Sequence, residues 1–216
     1  MNYAALKVAV EDYTENTFSD VDFAQMTVLA EQKIYNSVQL PALRRNVTGV
    51  LSASVQYLPA PTDFLSVFSL AVVSPTGAYV YLLNKDVNFL REAYPNPNVT
   101  GVPKYYAIFG PDSAAANEYS LILSPTPDAA YGVELHYFFY PESITTAGTS
   151  WLSENFESAL FNAVMVETAR FMKAEADIVA IYDTQYQQSL TLLKNLSDGK
   201  LRQDSYRNGQ VRTKVI

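Results

Sequence analysis

Ten of the eleven prolines in this chain fall between Pro59 and Pro141. Proline removes an amide donor and clashes with the preceding helical turn, so no long helix can run through that stretch. Between the prolines lie short segments rich in Val, Tyr, Phe and Leu: Val50 to Leu58, Leu65 to Val73, Ala78 to Leu83, Lys104 to Phe109, Tyr119 to Leu123 and Val133 to Tyr140. Turn residues separate them at Pro75-Thr76-Gly77, Pro111-Asp112 and Pro125-Thr126-Pro127-Asp128. This is the pattern of strands joined by tight turns. The alternation Val133-Glu134-Leu135-His136-Tyr137 predicts a strand with one wet face. A single short helix, from about Lys85 to Tyr94, interrupts the strands and stops at Pro95.

Helical periodicity holds the two ends. Tyr3 to Tyr13 places Leu6 and Val10 on one face. Ser19 is a good N-cap for a second helix, with Asp20 and Asp22 in its first turn and Phe23, Met26, Ala30, Ile34 and Val38 as its apolar stripe, ending at Pro41. Near the other end, Ser153 is read as the N-cap of a helix through Phe156, Leu160, Ala163, Val164 and Phe171. Apolar residues surround much of that helix, so a central place is expected. A last helix from about Ala176 to Leu196 carries Ile178, Tyr182, Tyr186, Ser189, Leu193 and Leu196, with Gly199 closing it. The fold class expected is α+β. The N-terminal helices (1–47) and C-terminal helices (151–199) form an antiparallel bundle, residues 48–150 a β-rich antiparallel insertion, and residues 200–216 an extended basic arm.

Charge sharpens the picture. Of 15 basic and 22 acidic residues, five basic and one acidic lie from Lys200 to Ile216, leaving 10 basic and 21 acidic for the rest. An acidic body repels DNA, so sequence-specific nucleic-acid binding by the body is not expected. A basic segment on such a body suits docking on an acidic partner, although a solvated tail has the same composition. Only 17% of the residues are charged and 16 are tyrosine, as expected where subunits cover one another's surface. The absence of cysteine excludes disulfides and thiolate metal sites and suits synthesis in a reducing cytosol. Residues 1–10 do not read as a signal peptide, and no apolar run approaches a membrane span, so a soluble protein is expected.

Catalytic signatures are lacking. His136, the one histidine, lies in a predicted strand and reads as a sheet-face residue. There is no glycine-rich phosphate loop and no Gly-x-Ser-x-Gly elbow. Asp20 and Asp22 are better explained by the helix dipole than by a metal. Glu154 and Glu157 are read as sharing one first helical turn, and Glu167 and Glu175 as two turns apart. No catalytic residue, metal site or cofactor is assigned, and the chain is read as a non-enzyme. Tyrosines crowd the β region at Tyr79, Tyr81, Tyr105, Tyr106, Tyr131 and Tyr137, with Tyr140 at its end. Most are expected to fill a half-buried sheet. Tyr105, Tyr106, Tyr137 and Tyr140 are the candidates for a contact with another subunit or the tail.

Several stretches resemble one protein family. They are Leu29 to Gly49 (LAEQKIYNSVQLPALRRNVTG), Tyr81 to Pro95 (YLLNKDVNFLREAYP), Gly101 to Tyr106 (GVPKYY), Pro125 to Ala130 (PTPDAA) and Val133 to Glu142 (VELHYFFYPE). Together they resemble the head-to-tail adaptors, or neck connectors, of short-tailed and related bacteriophages, over nearly the whole chain to about Arg207. The resemblance implies a structural virion protein at the neck: a dodecameric homo-oligomeric ring between the portal protein and a tail or nozzle protein. DNA would pass through it during ejection without sequence-specific binding, and no membrane is involved. It also implies a C-terminal arm that reaches the portal. Here that arm would use Arg202, Tyr206, Arg207, Val211, Arg212, Lys214 and Ile216. The alternative left open by the residues is a Tyr-rich receptor- or glycan-binding module of a virion tail.

Overall fold

The computed structural model describes residues 1–74, 76–111 and 119–201. It is a mixed α and β protein with seven α-helices and eight strands among those residues. The chain divides into two units: Met1–Leu43 with Tyr140–Ile216, and Arg44–Phe139. The β unit thus starts at 44 and ends at 139, where 48–150 was expected.

In the helical unit, α1 (Tyr3–Thr14) buries Leu6 and Val10. Asn2 caps its first turn, accepting from the Ala5 amide at 2.8 Å. Helix α2 (Asp20–Ser37) starts as the sequence predicts: the Ser19 hydroxyl accepts from the Asp22 amide at 3.1 Å, and Asp20 and Asp22 occupy the first turn. All five stripe residues, Phe23, Met26, Ala30, Ile34 and Val38, are buried. After a single 3₁₀ turn (Pro41–Leu43) the chain leaves for the β unit. On its return come α4 (Ile144–Ala147), α5 (Trp151–Asn155), α6 (Glu157–Phe171) and α7 (Ala176–Leu201). Helix α6 packs against α1, α2, α5 and α7. Its buried residues Ala159, Leu160, Ala163 to Val166, Thr168 and Ala169 go most of the way round it, so it is the central helix of the unit.

Four helical expectations need correction. Ser153 is not an N-cap. Ser150 caps α5, and Ser153 is its reciprocal partner in a capping box, its hydroxyl accepting from the Ser150 amide at 2.8 Å. Phe156 then breaks the path, so Glu154 belongs to α5 and Glu157 to α6. Helix α7 also runs through Gly199 to Leu201, because an isolated glycine costs a helix only about 1 kcal/mol and does not end one unless the chain turns left-handed there. Its stripe is shorter than predicted: Tyr186, Ser189 and Leu193 are buried together with Leu190, whereas Ile178 and Leu196 are exposed.

The β unit contains two four-stranded sheets that share one core. The first comprises β1 (Arg44–Val50), β8 (Gly132–Phe138), β3 (Ser66–Val73) and β4 (Tyr79–Tyr81), in that order. The second comprises β2 (Tyr57–Pro59), β7 (Tyr119–Ser124), β6 (Tyr105–Pro111) and β5 (Leu83–Asn84). All pairs are antiparallel except β5 with β6, which is parallel, so the wholly antiparallel expectation is corrected there. The predicted strand over 50–58 is split. Residues 44–50 pair along their whole length with β8, and only Tyr57–Pro59 joins the other sheet. The predicted strand over 78–83 divides similarly: β4 pairs with β3, and at buried Leu82 the chain passes to the second sheet. Leu70, Val72, Val133, Leu135 and Tyr137 from the first sheet meet Tyr106, Leu121 and Leu123 from the second. Helix α3 (Val87–Ala93), capped by Asp86, lays Leu90 on Ala107 and Ile122, covering the far side of the second sheet.

Candidate partner-binding face

The alternation of β8 decides which side chains leave the core. Val133, Leu135 and Tyr137 point inward and are buried; Glu134, His136 and Phe138 point the other way. Residues directly opposite in a ladder share a face, so Arg44, Asn46 and Thr48 of β1 lie beside Phe138, His136 and Glu134. Ser66 and Ser69 of β3 lie on the other side of β8, followed by Tyr79 and Tyr81 of β4, opposite Val73 and Ala71. A β-bulge between Val67 and Ser69 adds Phe68 to this face as an extra residue without a ladder partner. Phe68, Tyr79 and Tyr81 are 53, 55 and 65% exposed.

Polar groups knit the face together. Asn46 donates to Glu134 at 2.7 Å. His136 Nδ1 is 3.1 Å from the Ser69 hydroxyl, and its Nε2 is 3.6 Å from Glu134. Hydrogen bonding to Glu134, together with its charge, holds the Tyr79 hydroxyl above the ordinary tyrosine pKa. The guanidinium of Arg44 lies over Phe68 at 4.4 Å and over Phe138 at 5.6 Å. His136 is therefore the sheet-face residue that its alternation predicts.

The four tyrosines predicted as contact residues do not come together. Tyr106 and Tyr137 fill the core of the β unit, at 5 and 2% exposure, and are not surface residues. Burial raises both hydroxyls above their ordinary pKa. The Tyr137 hydroxyl donates to Asp63 at 2.9 Å, and Asp63 also holds Arg45 at 2.6 Å. Tyr105 is half-buried beneath α3, its ring 5.4 Å from that of Phe89. Tyr140 belongs to the helical unit, where it stacks on Tyr35 and donates to Asn36 at 2.6 Å. Tyr131 is buried as well, bonded to Asp128. Residues 202–216, with Arg202, Tyr206, Arg207, Val211, Arg212, Lys214 and Ile216, lie outside the described residues.

Reading the sequence missed two charged groups. Arg44 lies within the stretch expected to be helical (1–47), which hides the alternation that puts it on a sheet face. Glu31 had no mark beyond its position in α2, yet it is 2% exposed. It accepts from the Ser143 hydroxyl at 2.5 Å and from the Ile144 amide at 3.1 Å, anchoring α4 to α2. Burial raises its carboxyl pKa, and these two hydrogen bonds oppose that rise.

Glu154 and Glu157 are exposed on separate helices; Glu167 is held by Lys33 at 3.4 Å and Arg170 at 3.2 Å, and Glu175 is exposed. No group of three His, Cys, Asp or Glu side chains that could hold a metal occurs among the described residues. No helix among them is long and apolar enough to cross a membrane. What the geometry offers is an exposed sheet face of aromatic rings, one arginine and a short polar network.

Comparison with known proteins supplies the context. No curated protein matches the chain. A family model described as SU10 adaptor protein matches residues 1–213. The chain belongs to the SU10 adaptor protein family, a family of phage head-to-tail adaptors.

Proposed function

We propose that this chain is one subunit of a dodecameric ring that joins the portal to the tail and lines the DNA conduit. The carrying observation is the extent of the family match, which covers both units and most of the basic tail. Membership makes the chain a structural virion protein of the head–tail junction, associated with portal and tail components. The finer reading draws on charge. An acidic body repels the genome that threads the ring, and the charge of the basic segment that follows α7 in sequence suits docking on an acidic portal surface. Residues Arg202, Arg207, Arg212 and Lys214 would supply the charge-assisted contacts, and Tyr206, Val211 and Ile216 the apolar burial. Tyr105 and Tyr140, both part-exposed, remain proposed contact residues.

The test is electron microscopy of this chain mixed with portal. A coaxial ring of it on the portal is the expected image; a free monomer, or density only in peripheral fibres, overturns the reading. A second reading has its own observation, the exposed pair Tyr79 and Tyr81, whose rings suit stacking on a sugar. A glycan array separates the two, because reproducible binding of a defined sugar, lost in Tyr81→Ala, favours a receptor-binding module.

A further inference from the structure

Arg44 and Arg45 are neighbours in β1, and their side chains meet opposite fates. Arg45 faces the side of Tyr137, donates to Asp63 at 2.6 Å, and lies over Phe139 at 4.6 Å. Its charge is met within its own unit. Arg44 lies on the outer face between Phe68 and Phe138. No carboxylate reaches it and no hydrogen-bond acceptor meets it among the described residues; its Nε is buried and without a partner. The aromatic contacts hold the planar guanidinium in place, so little entropy remains to be lost when its fork meets an anion. The fork matches a carboxylate in a bidentate way.

Around this cation the face has the composition of a protein interface. Arginine and tyrosine lead the residues that dominate binding energy in such contacts. Tyr79 and Tyr81 stand exposed on the same face, and the bulge spends an extra residue to put Phe68 there too. We propose that the outer face of the first sheet is a protein-docking face anchored by Arg44, and that its occupant is a carboxylate-bearing segment of a neighbouring virion protein. The proposal deepens the adaptor reading and rests on it for the existence of that neighbour. Nucleic acid fits the face poorly. Duplex binding draws its strength from several cations on successive phosphates, whereas the described residues of this face offer one arginine, and the face also carries Glu134 on a chain of net charge −7. A sugar would use the rings and leave the guanidinium unmatched.

The experiment uses assembled particles carrying the full chain. A photo-activated cross-linking residue replaces Tyr81, which is 65% exposed and so is replaceable without disturbing the core. Cross-linked peptides are then mapped by mass spectrometry, with Arg44 intact and with Arg44→Gln or Arg44→Lys. The expected product is a protein segment containing Asp or Glu. Its yield should fall by about tenfold or more in Arg44→Gln, as for loss of an arginine hot spot, and less in Arg44→Lys, which keeps the charge without the fork. Cross-links to DNA, to a glycan, to a segment without carboxylates, or to nothing overturn the proposal. So does an unchanged yield in Arg44→Gln. If Arg44→Gln does not fold, as judged by its melting curve, the mapping with Arg44 intact still decides. Immunogold labelling of the wild-type chain separates the two readings. Its absence from the neck defeats the adaptor reading itself, whereas neck labelling with a failed cross-link defeats the docking face alone.

Discussion

The hydroxyl of Ser143 donates to the carboxylate of Glu31 at 2.5 Å across 112 residues of sequence. The Ile144 amide adds a second bond at 3.1 Å, so a side chain from the middle of α2 accepts at the start of α4. The segment that returns from the β unit is thereby tied to the helix that precedes its departure.

A pH dependence follows from that tie. Burial raises the Glu31 pKa above the ordinary carboxylate range, near ~4.3. Between the unfolded and folded values the native chain holds a proton that the unfolded chain has released. Wild-type stability therefore falls as pH rises through this window and is regained as pH falls back through it. Glu31→Gln keeps an acceptor for Ile144 without a charge to bury. Its melting temperature relative to wild type should rise with pH through the window and shrink towards pH ~4. A pH-independent difference would show that the carboxylate has no raised pKa. Glu31→Ala leaves the buried Ile144 amide and the half-buried Ser143 hydroxyl without their acceptor and should cost about 2 kcal/mol.

Tyr137 offers a separable pair of substitutions. Tyr137→Phe removes the hydroxyl that donates to Asp63, leaving the Asp63–Arg45 ion pair in place, and should cost about 1 kcal/mol in urea denaturation. Tyr137→Ala empties a site at the centre of the core and should cost about 3–5 kcal/mol. Equal losses from the two would mean that the hydroxyl, and not the ring, holds the site.

Capping of α2 gives a smaller and sharper number. Ser19→Ala removes the acceptor for the Asp22 amide and should destabilise the protein by about 1 kcal/mol, whereas Ser19→Gly should cost only a few tenths. Thermal denaturation monitored at 222 nm, a helix-sensitive wavelength, reads both.

The basic segment carries the functional prediction. Helix α7 runs to Leu201, so truncation after that residue should leave the melting temperature within about 2 °C of wild type. The same truncation should abolish co-purification with portal. Changing Arg202, Arg207 and Arg212 to Glu should weaken docking more at low salt than at high salt, because screening removes the contribution of exposed pairs. Undiminished recovery of the truncated chain with portal would show that the segment is a solvated end.

What the sequence determined by itself is the set of features that depend on near neighbours. Ten prolines in the middle of the chain forbid long helices there whatever the fold. Ser19 with Asp20 and Asp22 starts α2 because a cap acts within one turn. The spacing of Phe23, Met26, Ala30, Ile34 and Val38 commits one helical face to burial, and all five are buried. Alternation in β8 likewise sends Glu134 and His136 to the opposite face from Tyr137. Everything that requires a distant partner was left to the tertiary structure. Residues 44–50 become a strand because β8, nearly ninety residues later, offers seven ladder partners. Tyr106 and Tyr137 are core because two sheets close over them, while Tyr79 and Tyr81, of the same residue type, stay outside because β4 turns them to the open face. Glu31 is buried because Ser143 and Ile144 arrive to satisfy it. Arg44 and Arg45, adjacent and chemically identical, are separated only by the pleat. One meets Asp63; the other is left between two aromatic rings, with no acid paired to it among the described residues.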